Sequence, residues 1–401
     1  MSLLGPRREG EWSRTCPAIW YLPRMTESPR AMPDLRLCGA VVVYRLFDVG
    51  YAIDLGRALE LLASSAPERV RPLRGEAQAL QIRNPPVTVL LGTEALLVGG
   101  RPQTVELSAR IFDFGVVSLR VRATTPDDLT WPAFTAFSLA VHDHQALTPM
   151  VADTLSRLVS RIAPAIERPA VADVREDYTV YRITRAHDAD GAAVTSEVLS
   201  VLDVVPLLLG ETRALSAEAR RELLPHRFSY YNDDLAILTW ESALMAEPGD
   251  HDTDLQYILE FANAQLLELR YYDAVLDGEL PRMYDAINAA RRRRSVFPGR
   301  RFAGLLSHLQ AAVADTTEVV EQVENALKVT DDVYLARVYA SALEIFRGRV
   351  WRAGIDRKLA ILRDTYAMLN GEALAGRSET LEIAIVLLIV AELVLAFVRV
   401  H

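Results

Sequence analysis

The sequence is poor in cysteine. Only Cys16 and Cys38 occur among its 401 residues, and neither belongs to a C-x-x-C pair. Two isolated cysteines argue against a disulfide framework and against a structural zinc site. This cysteine usage is typical of a reducing compartment.

Recognisable catalytic motifs are lacking as well. The chain contains no G-x-S-x-G, H-E-x-x-H, G-x-x-x-x-G-K-[ST] or G-x-G-x-x-G pattern. His142-Asp143-His144 is a tight group of metal-capable side chains, but nothing indicates further ligands, and a polar loop after a helix is the favoured interpretation. We therefore predict no catalytic, cofactor-binding or metal-binding residues, and a non-enzymatic protein.

An excess of positive charge is lacking, since the formal net charge is −9. A nucleic-acid role would need a local basic patch. The segment RRRRSVFPGRR, 291–301, provides one, and its arginines are Arg291, Arg292, Arg293, Arg294, Arg300 and Arg301. Two interpretations stay open: contact with the phosphates of RNA or lipid head-groups, or a solvated loop between helices.

The first 38 residues lack the apolar run of a signal peptide. They mix prolines, tryptophans and charges of both signs. We expect a disordered leader, or a chain whose start is at Met25 or Met32.

Residues 39–250 carry alternating signals for strands and helices, which predicts an α+β domain. GAVVVYRLFDVG (39–50) is typical of a buried strand, and Asp54 can cap a helix that extends to Ala63. The order strand, helix, hairpin, helix recurs over 39–166 and over 178–272. We therefore predict two ferredoxin-like units related by duplication.

Residues 251–376 are helical in pattern and predict a bundle or coiled-coil hairpin. Pro281 is expected to kink the first helix, and Asp332 is expected to cap the third. Apolar residues of the first helix recur every seven positions: Leu255, Ala262, Leu269, Leu276 and Met283.

The most apolar stretch is LEIAIVLLIVAELVLAFVRV, Leu381 to Val400. A helix of about 20 residues is as long as the roughly 30 Å hydrocarbon core of a bilayer is thick. Its apolar residues contribute about −4 to −7 kcal/mol to insertion, against a cost of about 2.5–3.5 kcal/mol for Glu392 near the middle. The alternative is a buried helix of a soluble core. We predict one C-terminal transmembrane helix within 377–401.

The same region resembles the C-terminal signature of the "required for meiotic nuclear division" family, a domain-of-unknown-function family. The matching positions of the membrane-anchor motif are Arg377, Ser378, Leu381, Glu382 and Glu392. The similarity is strongest over 326–397. Upstream of the anchor it includes Asp332, Tyr334, Leu335, Ala336, Arg337, Asp356, Arg357, Lys358 and Leu359.

The resemblance implies a membrane-anchored scaffold or assembly factor, linked in mitochondrial members to translation at the inner membrane. We expect the cytoplasmic membrane, or the mitochondrial inner membrane in a eukaryote. Basic residues before the span would keep the large domain cytoplasmic. The expected partners are the lipid bilayer, a second copy facing Glu392, and unidentified proteins or RNA.

Two alternatives from other functional classes are an RNA- or ribosome-binding module that uses the Arg291–Arg301 turn, and an enzyme with a site between the α+β repeats.

Overall fold

The structure is a computed structural model that describes residues 34–63, 68–69, 80–249, 253–292, 302–325, 327–329 and 332–400. Most of the predicted leader, residues 1–33, lies outside the described residues.

The strands are β1 (Arg36–Asp48), β2 (Gly50–Ile53), β3 (Glu68–Arg69), β4 (Leu80–Ile82), β5 (Val87–Val98), β6 (Arg101–Ile111), β7 (Val116–Thr124), β8 (Ile166–Pro169), β9 (Arg175–His187), β10 (His226–Phe228), β11 (Leu235–Leu238), β12 (Ser242–Ala246) and β13 (Leu327–Val329). The helices are α1 (Leu55–Leu62), α2 (Trp131–His142), α3 (Leu147–Ile162), α4 (Ser196–Ser200), α5 (Val205–Leu209), α6 (Ala217–Leu223), α7 (Asp254–Arg292), α8 (Ala303–Asn325), α9 (Val333–Ile345) and α10 (Gly348–Val400). The predicted caps are confirmed: Asp54 accepts from the backbone N–H of Arg57, and Asp332 accepts from that of Leu335.

One large sheet organises the described part of the chain. This sheet has nine strands in the order β10-β11-β12-β9-β1-β7-β6-β5-β3, and its central strands β1 and β9 are antiparallel. The pair β12–β9 is parallel, whereas β1–β7 is antiparallel. Two short pairs, β2–β8 and β4–β13, lie outside this sheet.

Helices cover both faces of the sheet because successive side chains of a strand point to opposite sides. On β1, Val41 and Val43 belong to the core cluster that includes α1 to α5, and Val42 and Tyr44 belong to the cluster of α7 to α10. The result is a three-layer arrangement of helices, sheet and helices.

The predicted fold class is wrong. The structure is a mixed α+β fold in which both halves contribute strands to one sheet, so it does not consist of two ferredoxin-like units. The halves do not repeat, because β12 runs parallel to β9 whereas β7 runs antiparallel to β1. The alternation of strand and helix patterns predicts which segments are strands and which are helices, but it does not predict the directions in which the strands pair.

The predicted transmembrane helix is also wrong. Among the residues that the structure describes, no helix is long and apolar enough to cross a membrane. Two carboxyl groups, Glu382 and Glu392, interrupt the apolar stretch that begins at Leu381. It continues α10, whose earlier part is buried against α7 and α8 through Ile355, Leu359, Leu362 and Leu369.

The anchor motif Arg377, Ser378, Leu381, Glu382 and Glu392 therefore lies on α10 and not on a separate anchor. The predicted localisation at an inner membrane depended on the span and is wrong with it.

Helix α7 is the buried element of the helical layer. Every residue from Leu255 to Leu269 is buried, and the row Leu255, Ala262, Leu269, Leu276 and Met283 faces the core as predicted. The helix continues through Pro281. Because the buried half also carries Glu260 and Glu268, the interface with the sheet must accommodate charge.

Two buried carboxyl groups meet where α7 crosses β1. Burial raises the pKa of Glu268 well above its ordinary value, and the nearby carboxyl of Asp48 raises it further. Burial also raises the pKa of Asp48 to about 7, although the backbone N–H of Gly50 donates to its Oδ1 at 3.0 Å and acts in the opposite direction. Glu268 Oε1 has no hydrogen-bond partner. Both carboxyl groups therefore hold their protons to a higher pH in the folded protein than in the unfolded chain.

A glycine corner, Gly50 with Gly115, joins the start of β2 to the turn between β6 and β7. Gly115 has φ +94°, and a Cβ atom there would lie 1.9 Å from the carbonyl oxygen of Gly50. The turn is held by Val49, whose N–H donates to Gly115 O at 3.0 Å, and by Ile53, whose N–H donates to Asp113 O at 2.9 Å. Only glycine satisfies both the dihedral angle and the close approach.

The carboxyl pair predicts a pH-dependent stability. The unfolded chain releases the Asp48 proton near pH 4, whereas the folded protein holds it up to about pH 7. The free energy of unfolding should therefore fall as pH rises from about 4 to 7. Asp48→Asn and Glu268→Gln should reduce this slope in urea unfolding measured at several pH values. Some slope should persist, because burial also raises the pKa of Glu176 to about 7. A slope unchanged from wild type, and equal to that of the exposed control Glu94→Gln, would contradict this inference.

The glycine corner predicts a position-specific loss of stability. Gly115→Ala adds a steric clash to the cost of a positive φ, so it should lower the free energy of unfolding by more than about 2 kcal/mol. Gly99→Ala is the matched control, because Gly99 has φ +57° but no atom within 4 Å of an added Cβ. Its cost should be about 1 kcal/mol. Equal losses in thermal and urea unfolding would show that the close approach contributes nothing.

Candidate functional site: a groove between α8, α10 and the sheet

The largest cavity described is a groove of about 1090 Å³ along α8. One wall is the edge of the sheet layer near β4 and the β6–β7 turn, and the other is α10. The lining residues are Arg83, Asn84, Asp113, Leu309, Gln310, Val313, Ala314, Thr317, Glu318, Glu321, Gln322, Asn325, Arg363 and Tyr366.

Helix α8 forms the floor of the groove, because its sequence places the lining residues on one side of the helix. Groove residues recur at steps of three and four from Leu309 to Asn325, so they share one side of the helix over roughly 24 Å. The opposite side, with Val320 and Val323, is buried in the core cluster of α7. The first part of the floor is apolar and the later part, from Thr317 onwards, is polar.

Asp113 forms the sheet-side wall and is placed there by the glycine corner. Asn84 Nδ2 donates to Asp113 Oδ2 at 3.3 Å. Burial raises the pKa of Asp113, while hydrogen bonds from Asn84 and Gln322 and the charge of Arg83 act in the opposite direction. Asp113 therefore links β4, the β6–β7 turn and α8.

A second link between the sheet layer and α8 comes from Tyr51 on β2. Its hydroxyl donates to Glu318 Oε2 at 3.2 Å. Burial first, and then this carboxylate, raise the pKa of Tyr51 to about 12. The hydroxyl therefore stays protonated at neutral pH and keeps Glu318 oriented at the groove.

Arg363 and Tyr366 form the α10 wall. Arg363 is exposed, and its Nη2 donates to the uncharged Thr317 Oγ1 at 3.2 Å. Within the described part of the chain it forms no ion pair. By contrast, Arg352 and Lys358 on the same helix pair with carboxylates at 2.6 to 3.1 Å.

The lining chemistry suits binding better than bond cleavage. The residues named above as lining the groove include no histidine, cysteine, lysine or serine. They combine two guanidinium groups, Arg83 and Arg363, and three carboxyl groups with an apolar surface and one aromatic ring; the carboxyl groups are Asp113, Glu318 and Glu321. A guanidinium group binds carboxylate or phosphate through parallel N–H donors.

The two described arginines of the predicted phosphate-binding turn, Arg291 and Arg292, are not among the residues that line the groove. Arg291 pairs with Glu372 at 2.9 Å, and Arg292 ends α7. Arg293, Arg294, Arg300 and Arg301 lie outside the described residues. Contact of this turn with RNA or lipid phosphate stays a prediction.

The histidines of the His142-Asp143-His144 group have local roles. His142 Nδ1 lies 2.9 Å from Thr179 Oγ1, and His144 Nδ1 accepts from the backbone N–H of Ala146 at 3.2 Å. In the described ranges, no group of three or more His, Cys, Asp or Glu side chains is arranged to hold a metal ion.

Sequence reasoning missed the groove residues Asp113, Arg363 and Tyr366 as a site. The sequence contains no signal that brings residue 113 to residue 363, because their proximity depends on how α8 and α10 pack on α7.

A family model described as "Uncharacterized protein MJ0711, N-terminal domain" matches residues 38–253. Uncharacterized protein MJ0711 of Methanocaldococcus jannaschii is 26% identical over 226 residues, which cover 56% of this chain and 67% of that protein. No solved structure matches.

These matches correct the family assignment. The resemblance to the "required for meiotic nuclear division" family is wrong: it depended on short aliphatic and charged patterns in 326–397, a helical region outside the match. The matched residues include most of β1 and all of β2 to β12, whereas α8 and α10 lie beyond them. Because the match covers more than half of the chain, the protein belongs to the family of the MJ0711 N-terminal domain.

Proposed function

We propose that this chain is a non-enzymatic binding protein that holds a small anionic molecule in the groove between α8, α10 and the sheet. The scaffold or assembly role expected from the sequence is compatible with this proposal, because a ligand there would contact elements of both the sheet and the helical layer. The predicted homo-oligomer and unidentified protein partners remain predictions.

One observation carries the proposal: Arg363 lines a groove of about 1090 Å³, and among the described residues its hydrogen-bond partner is the uncharged Thr317. The guanidinium group has five N–H donors, of which the Thr317 contact uses one. An anionic group placed beside it would gain charge-assisted hydrogen bonds without breaking an existing ion pair.

The remaining lining indicates the body of the ligand. Leu309, Val313 and Ala314 provide apolar surface, and the ring of Tyr366 can stack on a planar group. The volume is at the upper end of the range for sites that bury small organic ligands. A phosphate or carboxylate attached to an aromatic or aliphatic body fits this combination.

An enzyme remains the alternative from a different class. Asp113 would be its acid–base group, since its pKa is raised by burial at the groove wall. We favour binding because Asp113 already accepts from Asn84 and Gln322, which hold it at the junction of three elements.

The proposal is tested with phenyl phosphate in isothermal titration calorimetry of the full chain. We expect saturable binding that Arg363→Gln weakens about tenfold or more, since a lost charge-assisted contact is about 1.5–3 kcal/mol. Arg349→Gln is the matched control: it removes the same charge from an exposed position of α10 that does not line the groove.

The remaining outcomes separate the functional classes. Phenol should bind more weakly than phenyl phosphate if the anion is recognised. Release of inorganic phosphate, abolished by Asp113→Asn, would favour the enzyme. Equal weakening by Arg363→Gln and Arg349→Gln, or no binding, would refute the assignment of Arg363.

A further inference from the structure

Three tyrosines form a separate cluster, on the turn between β10 and β11 and at the start of α9. The ring centroids of Tyr230 and Tyr231 are 4.8 Å apart with an interplanar angle of 87°. Those of Tyr230 and Tyr334 are 5.2 Å apart at 49°. The three rings line a cavity of about 230 Å³ and present surfaces in different directions.

The tyrosines are held in place by backbone contacts. Asp234 Oδ1 accepts from the N–H groups of Tyr230 and Tyr231, at 2.7 and 3.1 Å. The side chain of Asp332 caps α9 two residues before Tyr334. These two carboxylates therefore have structural roles, yet both line the cavity and add negative potential to it.

Glu247 supplies a carboxylate oxygen that the fold leaves unused. Its Oε2 is buried, has no hydrogen-bond partner and belongs to a residue that lines the cavity. Burial raises the pKa of Glu247, a hydrogen bond with Thr253 and the charge of Arg182 oppose this, and the charges of Asp234 and Asp254 add to it. A buried carboxylate oxygen without a hydrogen-bond partner is costly, and a cation bound beside it would relieve that cost.

A cation–aromatic contact already occurs beside the cavity. The guanidinium carbon of Arg337 lies 6.0 Å from the ring centroid of Tyr334 and 5.6 Å from that of Phe228. Arg337 is not among the residues that line the cavity, so it does not fill it. The cavity itself is lined by Tyr230, Tyr231 and Tyr334 together with Asp234, Glu247, Asp254 and Asp332, and by no arginine or lysine.

We propose that Tyr230, Tyr231, Tyr334 and Glu247 form a binding site for a small alkylated ammonium ion. The faces of aromatic rings carry negative potential and attract cations without requiring directed hydrogen bonds. A methylated ammonium group suits such a site, because it loses less hydration than ammonium when it leaves water. The cavity is smaller than a site for a drug-sized ligand, which restricts the ligand, or the part of it that is bound, to a compact cation. This inference concerns a second site and does not depend on the groove.

The probe is tetramethylammonium chloride, titrated into the full chain at constant ionic strength and followed by saturation-transfer NMR of its methyl protons. We expect saturable binding that Tyr230→Leu and Glu247→Gln each weaken at least fivefold. Tyr284→Leu is the matched control, since Tyr284 is 53% exposed on α7, similar to 61% for Tyr230, and does not line the cavity. It should bind like wild type.

Competing cations define the ligand further. Choline should compete with tetramethylammonium, whereas ammonium should compete at least tenfold more weakly because its hydration is stronger. Absence of saturable binding by the wild-type chain would overturn the proposal. Equal affinity of Tyr230→Leu, Glu247→Gln and Tyr284→Leu for tetramethylammonium would also overturn it. Circular dichroism of each variant should match wild type, and Tyr231→Leu provides a second exposed position if Tyr230→Leu alters the fold.

Discussion

A charged helix in a fully buried position is the constraint on which the rest of the structure depends. The first half of α7 is enclosed by the sheet on one side and by α8 to α10 on the other, yet it carries Glu260. Arg110 on β6 pairs with this carboxylate, and its guanidinium carbon also lies 5.1 Å from the ring centroid of Tyr257. Removing one partner of such a pair leaves a buried charge unpaired, at a cost of about 3–5 kcal/mol. The pair therefore fixes the position of α7 relative to β6 more strictly than apolar packing would.

The remaining helices take their positions from α7. Lys358 on α10 binds Asp273 and Asp277 on the following turns of α7, at 2.7 and 2.6 Å. On α9, the hydroxyl of Tyr339 donates to Gln265 at 2.8 Å. Helices α8 and α10 are thus held on the same support, and the groove is the space that remains between them and the edge of the sheet layer. Its width is set by these contacts together with those that Asp113, Glu318 and Arg363 make at the groove itself, which makes it a pre-formed site.

Local features of this fold could be predicted from the sequence, and long-range ones could not. The caps at Asp54 and Asp332 depend on two or three neighbouring residues, and the row from Leu255 to Met283 depends on the period of one helix. Whether β12 joins β9 in parallel, or whether Asp113 approaches α8, depends on segments far apart in the chain.

The end of α10 shows a different limit of prediction from sequence. Apolar composition was interpreted as a bilayer span, although the same helix begins as a core element whose buried residues include Ile355 and Leu359.

The glycine corner also determines how freely the sequence around the groove can vary. On α8, a side chain such as Gln310 or Asn325 has open space before it and can be exchanged without moving the backbone. At Gly115 a single methyl group would clash with Gly50 O and push the β6–β7 turn, and Asp113 with it, out of place, and at Gly50 it would clash with Ile166 of β8. New ligand preferences can therefore arise by single substitutions along α8, whereas the turn could change only by concerted replacement of both glycines and their neighbours. The sequence of the α8 side of the groove can therefore vary, whereas that of the β6–β7 turn cannot.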